Sequence, residues 1–105
     1  MTDSIVDEFL TYTAKIGDKI KAIYLFGSRA RGNERPDSDY DILLVVSKAF
    51  TLADKDVLYE GVMQVLLKTG RLISLKIFKE SDFKKLKAMG TPFMTHVMKE
   101  GIKIG

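Results

Sequence analysis

The stretch LFGSRARGNERPDSDYDILLVV, Leu25 to Val46, sets a Gly-Ser turn and a pair of acidic residues between two apolar runs. The second run, YDILLVV, is almost continuously apolar and ends on β-branched residues, the pattern of a strand covered on both faces. The first run, KAIYLFG, is apolar and aromatic and closes on glycine, so it too is expected as a central strand. Between them GNERPDSD is dense in turn formers and charge, and Pro36 forbids regular structure around itself; this is a loop. Two buried strands joined by a charged connection form the core of a layered fold.

Working outward, Ser4 followed by Asp7 resembles a capping box. Ile5, Phe9, Leu10 and Ile16 then recur at roughly helical spacing, which predicts a first helix ending near Gly17. Downstream, Leu58, Val62, Val65 and Leu66 share one helical face over Leu52 to about Lys68, and Gly70 marks the stop. RLISLKIF is expected as a third strand from its length and its bounding signals. Ser81 is expected to cap a short helix through Lys87, with Gly90 just past its end. TPFMTHVMKEG carries Thr91 as N-cap, Pro92 at the first helical position and Gly101 after the last turn. IKIG adds a last extended segment. The order is helix, strand, loop, strand, helix, strand, helix, helix, which predicts a small α/β or α+β fold, a mixed sheet flanked by helices, in one domain over residues 1–105.

With 105 residues the chain can build one core. Apolar residues make up 46% and charged residues 30%, the balance of a folded globular chain. No run approaches the ~18 apolar residues of a membrane-spanning helix. MTDSIVDEFL has none of the regions of a signal peptide, so a cytoplasmic location is expected. The absence of cysteine excludes disulfides and thiolate zinc sites, and one histidine leaves little for imidazole ligation. A metal here would be a hard cation on oxygen ligands. The net charge of +3 mildly favours an anionic partner, but no interleaving of aromatic and basic residues marks a nucleic-acid stacking surface.

Asp39 and Asp41 stand two apart at the start of the second strand, so the pleat of a strand points both carboxylates to one face. Two carboxylates that close repel unless a proton or a cation lies between them, and the fitting cation is Mg²⁺ or Mn²⁺. Mg²⁺ completes its shell with water and substrate phosphates. Gly27 and Ser28 end the preceding strand, and the N–H groups of a short helix begun by RARG would point at an anion. Glycine allows close backbone approach, and the serine hydroxyl can donate to a phosphate oxygen. A Gly-Ser or an Asp-x-Asp alone is more often a plain turn or a solvated strand end. Together, in this order and spacing, they meet the requirements of a metal and phosphate site.

GSRARGNERPDSDYD resembles the signature of the nucleotidyltransferase superfamily that includes DNA polymerase beta: Gly-Ser, about ten residues, then Asp-x-Asp. Gly27, Ser28, Asp39 and Asp41 match it. The short length and the tail TPFMTHVMKEGIKIG are similar to the minimal nucleotidyltransferases of bacteria and archaea, so the resemblance spans nearly the whole chain. It implies the nucleotidyltransferase fold and a two-metal transfer of a nucleoside monophosphate from a nucleoside triphosphate, ATP above all, to a hydroxyl. Asp39 and Asp41 would hold Mg²⁺ or Mn²⁺, Gly27 and Ser28 would cradle the outer phosphates, and Arg29, with Arg31, would add charge there. Minimal members also resemble antitoxins paired with a small helical protein of HEPN type, which implies a hetero-oligomer as one assembly and the partner as acceptor or as ligand.

The sequence departs from the family in one respect. Members commonly carry a third carboxylate on the later strand, and RLISLKIF has none: Ser74 or Leu72 stands about where it would be, and Glu80 is a conceivable but remote substitute. A binding module without turnover is therefore the alternative expectation. His96 is expected on the surface or in packing, the methionines are expected to fill the core, and Tyr24 and Tyr40 are either strand residues or neighbours of a nucleotide.

Overall fold

The computed structural model describes residues 4–26 and 40–105. Helix α1 covers Ser4–Ala14 and a 3₁₀ turn Gly17–Lys19 leads into β1, Ile20–Phe26. Strand β2 covers Tyr40–Val46, α2 Leu52–Thr69 and β3 Ile73–Lys79. Helices α3, Glu80–Met89, and α4, Pro92–Glu100, precede the short strand β4, Ile102–Lys103. The sheet order is β3-β2-β1-β4. Strand β1 runs antiparallel to β2 and to β4, whereas β2 and β3 are parallel, with α2 as the crossover between them.

Strand β2 is central because both its edges are paired and both its faces are covered. Its even-numbered residues, Tyr40, Ile42, Leu44 and Val46, pack with Val6 and Phe9 of α1 and Leu58, Val62 and Val65 of α2. Its odd-numbered Leu43 and Val45 pack with Ala22 and Phe26 of β1, Phe83 of α3, and Met94 and Val97 of α4. Ile42, Leu43 and Leu44 are wholly buried in succession, which is possible only with a helical layer on each side. Among the described residues, no helix is long and apolar enough to cross a membrane.

Local signals set the helix ends. Thr51 caps α2 through a reciprocal box: its hydroxyl accepts from the Asp54 N–H at 3.2 Å, and the Asp54 carboxylate accepts from the Thr51 N–H at 2.9 Å. Gly70 closes the same helix in the left-handed region, φ 73°, as does Gly90 after α3, φ 63°. Thr91 caps α4 by accepting from the Met94 N–H, with Pro92 in the first turn.

Three expectations need correction. Ser81 lies inside the first turn of α3, because strand β3 runs straight into the helix; the capping position is Lys79, whose ammonium has no acceptor with which to cap. Helix α1 includes Ser4 and ends at Ala14, three residues short of Gly17. Of the described methionines only Met94 fills the core; Met63, Met89 and Met98 are exposed, because each sits on the outer face of its helix.

Helices α1 and α2 approach closely at Gly61, where a Cβ would lie 2.7 Å from Tyr12 Cγ. Gly61→Ala is therefore expected to cost about 1–2 kcal/mol, the overpacking penalty outweighing the gain in helix propensity. Urea denaturation with an unchanged m-value would show it. The Asp54 carboxyl is held below its usual range, first by the Thr51 N–H and then by the Lys19 ammonium, 3.0 Å away. A depressed folded-state pKa stabilises above the unfolded value and is lost as pH falls through the folded one. The stability curves of the parent and of Asp54→Asn should thus differ at neutral pH and converge below about pH 4.

Candidate functional site

Asp41 is the second residue of β2 and stands in register with Phe26, the last residue of β1, on one side and Ser74, the second residue of β3, on the other. Residues in register on adjacent strands point to the same face. Phe26 and Leu43 belong to the cluster beneath α3 and α4, so Asp41 and Ser74 share that face as well. The row Phe26–Asp41–Ser74 thus crosses the sheet where β1 ends and β2 and β3 begin. Asp41 is half-buried at the rim of an apolar sheet. The next row inward is Tyr24–Leu43–Lys76.

Two aromatic contacts fix what stands over these rows. Phe83 of α3 stacks on Tyr24, with ring centroids 6.0 Å apart and an interplanar angle of 27°. Phe93, in the first turn of α4, meets Phe26 edge to face at 5.8 Å and 85°. Phe93 keeps 36% of its surface exposed, whereas Phe26 is buried. Sequence reasoning missed both phenylalanines as site neighbours, because their pairing joins residues 67 positions apart and leaves no local signal.

The remaining candidates divide. Gly27, Ser28, Arg29, Arg31 and Asp39 lie outside the described residues. Between Ser74 and Leu72, the register selects Ser74 as the residue beside Asp41; Leu72 precedes the strand, and its carbonyl accepts from the Tyr40 N–H at 2.9 Å. Glu80 follows the far end of β3, six residues beyond Ser74, so at ~3.3 Å per residue it is roughly 20 Å away and cannot stand in for a third acid. Tyr40 faces α1 and α2, only 2% exposed, with the Arg71 guanidinium 5.5 Å from its ring, so it lies on the opposite side of the sheet from Asp41. Tyr24 is a packing residue against Phe83. His96 forms a surface pair with Glu100, Nε2 to Oε2 3.1 Å. Among the described residues, no three acidic or imidazole side chains gather as a metal site. Asp41 is the one described carboxylate at this row, a hard oxygen donor of the type that suits Mg²⁺.

A family model described as polymerase beta nucleotidyltransferase matches residues 8–105. The chain belongs to this nucleotidyltransferase family. Two relatives from Methanocaldococcus jannaschii carry the names "Putative protein adenylyltransferase MJ0141" and "Putative protein adenylyltransferase MJ0604". The first is 33% identical over 83% of this chain and 81% of its own length, the second 33% identical over 94% and 93%. Among solved structures, a toxin–antitoxin crystallised with AMP-PNP superposes with a TM-score of 0.61 at 18% identity, covering 92% of this chain and 69% of that one. A toxin–antitoxin MntA-HpeT mutant gives 0.62 at 17%, covering 100% and 73%. At such identities the likeness is one of fold, and it agrees with the nucleotidyltransferase architecture expected from the Gly-Ser and Asp-x-Asp pattern.

Ser74→Asp would set a carboxylate on β3 beside Asp41 on the shared face. Mutual repulsion should raise the pKa of one of the two carboxyls without a cation, and Mn²⁺ should relieve it. The expected outcome is Mn²⁺ binding at least about tenfold tighter than in the parent, measured by calorimetry. Ser74→Ala should leave Mn²⁺ affinity within about twofold, since a hydroxyl is a weak ligand beside a carboxylate.

Proposed function

We propose that the chain transfers a nucleoside monophosphate, AMP from ATP, to a hydroxyl acceptor on a protein or small molecule. The acceptor oxygen bonds to the α-phosphorus as the bond to the bridging oxygen of the β-phosphate breaks. Pyrophosphate leaves, and the hydroxyl proton passes to water. In this reading Asp39 and Asp41 hold Mg²⁺ or Mn²⁺ against the triphosphate, Gly27 and Ser28 seat its outer phosphates, and Arg29 adds positive charge. The bound cation would supply charge neutralisation at the phosphates. The observation that carries the reading is the place of Asp41: a charged residue at the rim of two central strands, on one row with Ser74 and Phe26, in a member of a nucleotidyltransferase family. The names of the two relatives favour adenylyl transfer and a protein acceptor.

A protein partner follows from the same line of support, since the structural neighbours are toxin–antitoxin assemblies. We take that partner to be a small helical protein of HEPN type, with this chain in the antitoxin role and the partner as the acceptor. A second reading is favoured by Ser74: with a hydroxyl beside Asp41 rather than a carboxylate, the row offers no base on β3 for the acceptor proton. The pocket would then bind nucleotide and partner without turnover.

Incubating the chain with a co-expressed helical partner, Mg²⁺ and ATP labelled at the α-phosphate separates the two. Transfer predicts label on the partner, reduced at least about a hundredfold by Asp41→Asn and abolished by a chelator. A stable complex that forms equally with Asp41→Asn and carries no label decides for the binding reading.

A further inference from the structure

We infer that Phe93 is the surface on which the base of a bound purine nucleoside triphosphate stacks, so that the first turn of α4 sets base selectivity. The inference rests on the nucleotide reading of the Asp41 row and adds a base-side contact to it.

The geometry that points to Phe93 comes from three observations. Its ring meets Phe26 edge to face at 5.8 Å, and Phe26 is the direct cross-strand neighbour of Asp41 on the same face of the sheet. An aromatic ring is therefore one side chain removed from the carboxylate. Phe93 is held rather than floating. Thr91 caps α4, Pro92 fixes its first turn, and Met94, next in sequence, is 1% exposed in the core, so the ring position is set by backbone and packing together. Finally, Phe93 leaves 36% of its surface open although a buried phenylalanine lies beside it. An aromatic ring that is held in place by a neighbour and still exposed can receive a base by stacking.

Other aromatic rings near the row do not offer this. Tyr24 is stacked on Phe83, Phe83 is buried with the Lys87 ammonium 5.6 Å from its ring, and Tyr40 faces the opposite layer. Phe93 is the open ring among the described residues of this face. Stacking tolerates any base and is strongest for the larger ring systems, which favours ATP and GTP over CTP and UTP.

The chain contains no tryptophan, so Phe93→Trp creates a single fluorescent reporter at the proposed contact. Saturable quenching of that reporter by Mg–ATP, and none by Mg–tripolyphosphate, is the expected result. By calorimetry Phe93→Ala should weaken ATP about tenfold and leave tripolyphosphate unchanged. Phe93→Leu, which keeps apolar packing on Phe26, should show the same selective loss and decides the matter if the alanine variant does not fold. Equal losses for ATP and tripolyphosphate would make Phe93 a packing residue and overturn the inference. Unchanged ATP affinity in Phe93→Leu would overturn it too. If that happens while Asp41→Asn still abolishes Mg–ATP binding, the nucleotide reading stands and only the stacking contact fails. If the parent chain binds no nucleotide, both fall.

Discussion

The double pairing of β2 is the constraint on which the rest of the molecule depends. A strand with Ile42, Leu43 and Leu44 all fully buried needs hydrogen-bonded neighbours on both edges and an apolar layer on both faces, since an unpaired backbone group there has no water to turn to. Strand β1 supplies one edge through an antiparallel ladder, and β3 supplies the other through a parallel one that requires the α2 crossover. Helices α1 and α2 close one face, α3 and α4 the other. Truncating a buried leucine in such a strand costs about 2–5 kcal/mol, a large share of the stability of a domain this size.

The same constraint places the chemistry. Because β2 is rigid on all sides, the side chain that emerges at its first outward position on the α3/α4 face, Asp41, has its direction fixed by the ladder rather than by a loop. Ser74 and Phe26 are fixed beside it by register, and Phe93 is fixed over Phe26 by the helix that seals this face. Side chains carried on strand ends take their backbone positions from the sheet. The register leaves a hydroxyl, Ser74, rather than a carboxylate beside Asp41 on β3.

Strands β1 and β2 were legible from their near-continuous apolar runs and β3 from its length and bounding signals, and YDILLVV begins and ends as expected. Helix α4 was legible from Thr91, Pro92 and Gly101 alone. The start of α3 was misjudged because Ser81 is a good capping residue in isolation, whereas the chain leaves β3 directly into the helix and gives it no room to cap. The methionines were misjudged for a related reason: composition does not say which face of a helix a residue occupies, and only Met94 falls on the inner one. The Thr51–Asp54 box went unnoticed although its pattern is local, and it anchors α2 to Lys19 in the turn just before β1.

By itself the sequence determined that there are two central strands, which helices flank them, and that Gly-Ser and Asp-x-Asp bracket the loop between them, since these follow from periodicity and local backbone chemistry. What only the tertiary structure decided is what stands beside what. That Ser74, not Leu72, adjoins Asp41 depends on a parallel register between strands thirty residues apart, and a slip of one position would turn every side chain of β3 to the other face. That Glu80 lies at the wrong end of the sheet follows from the direction of β3. That Tyr40 faces away from Asp41 follows from the pleat, and that Phe93 stands against Phe26 follows from a packing contact with no trace in the local pattern. Neighbourhood across a sheet is fixed by pairing, and pairing is a property of the folded chain.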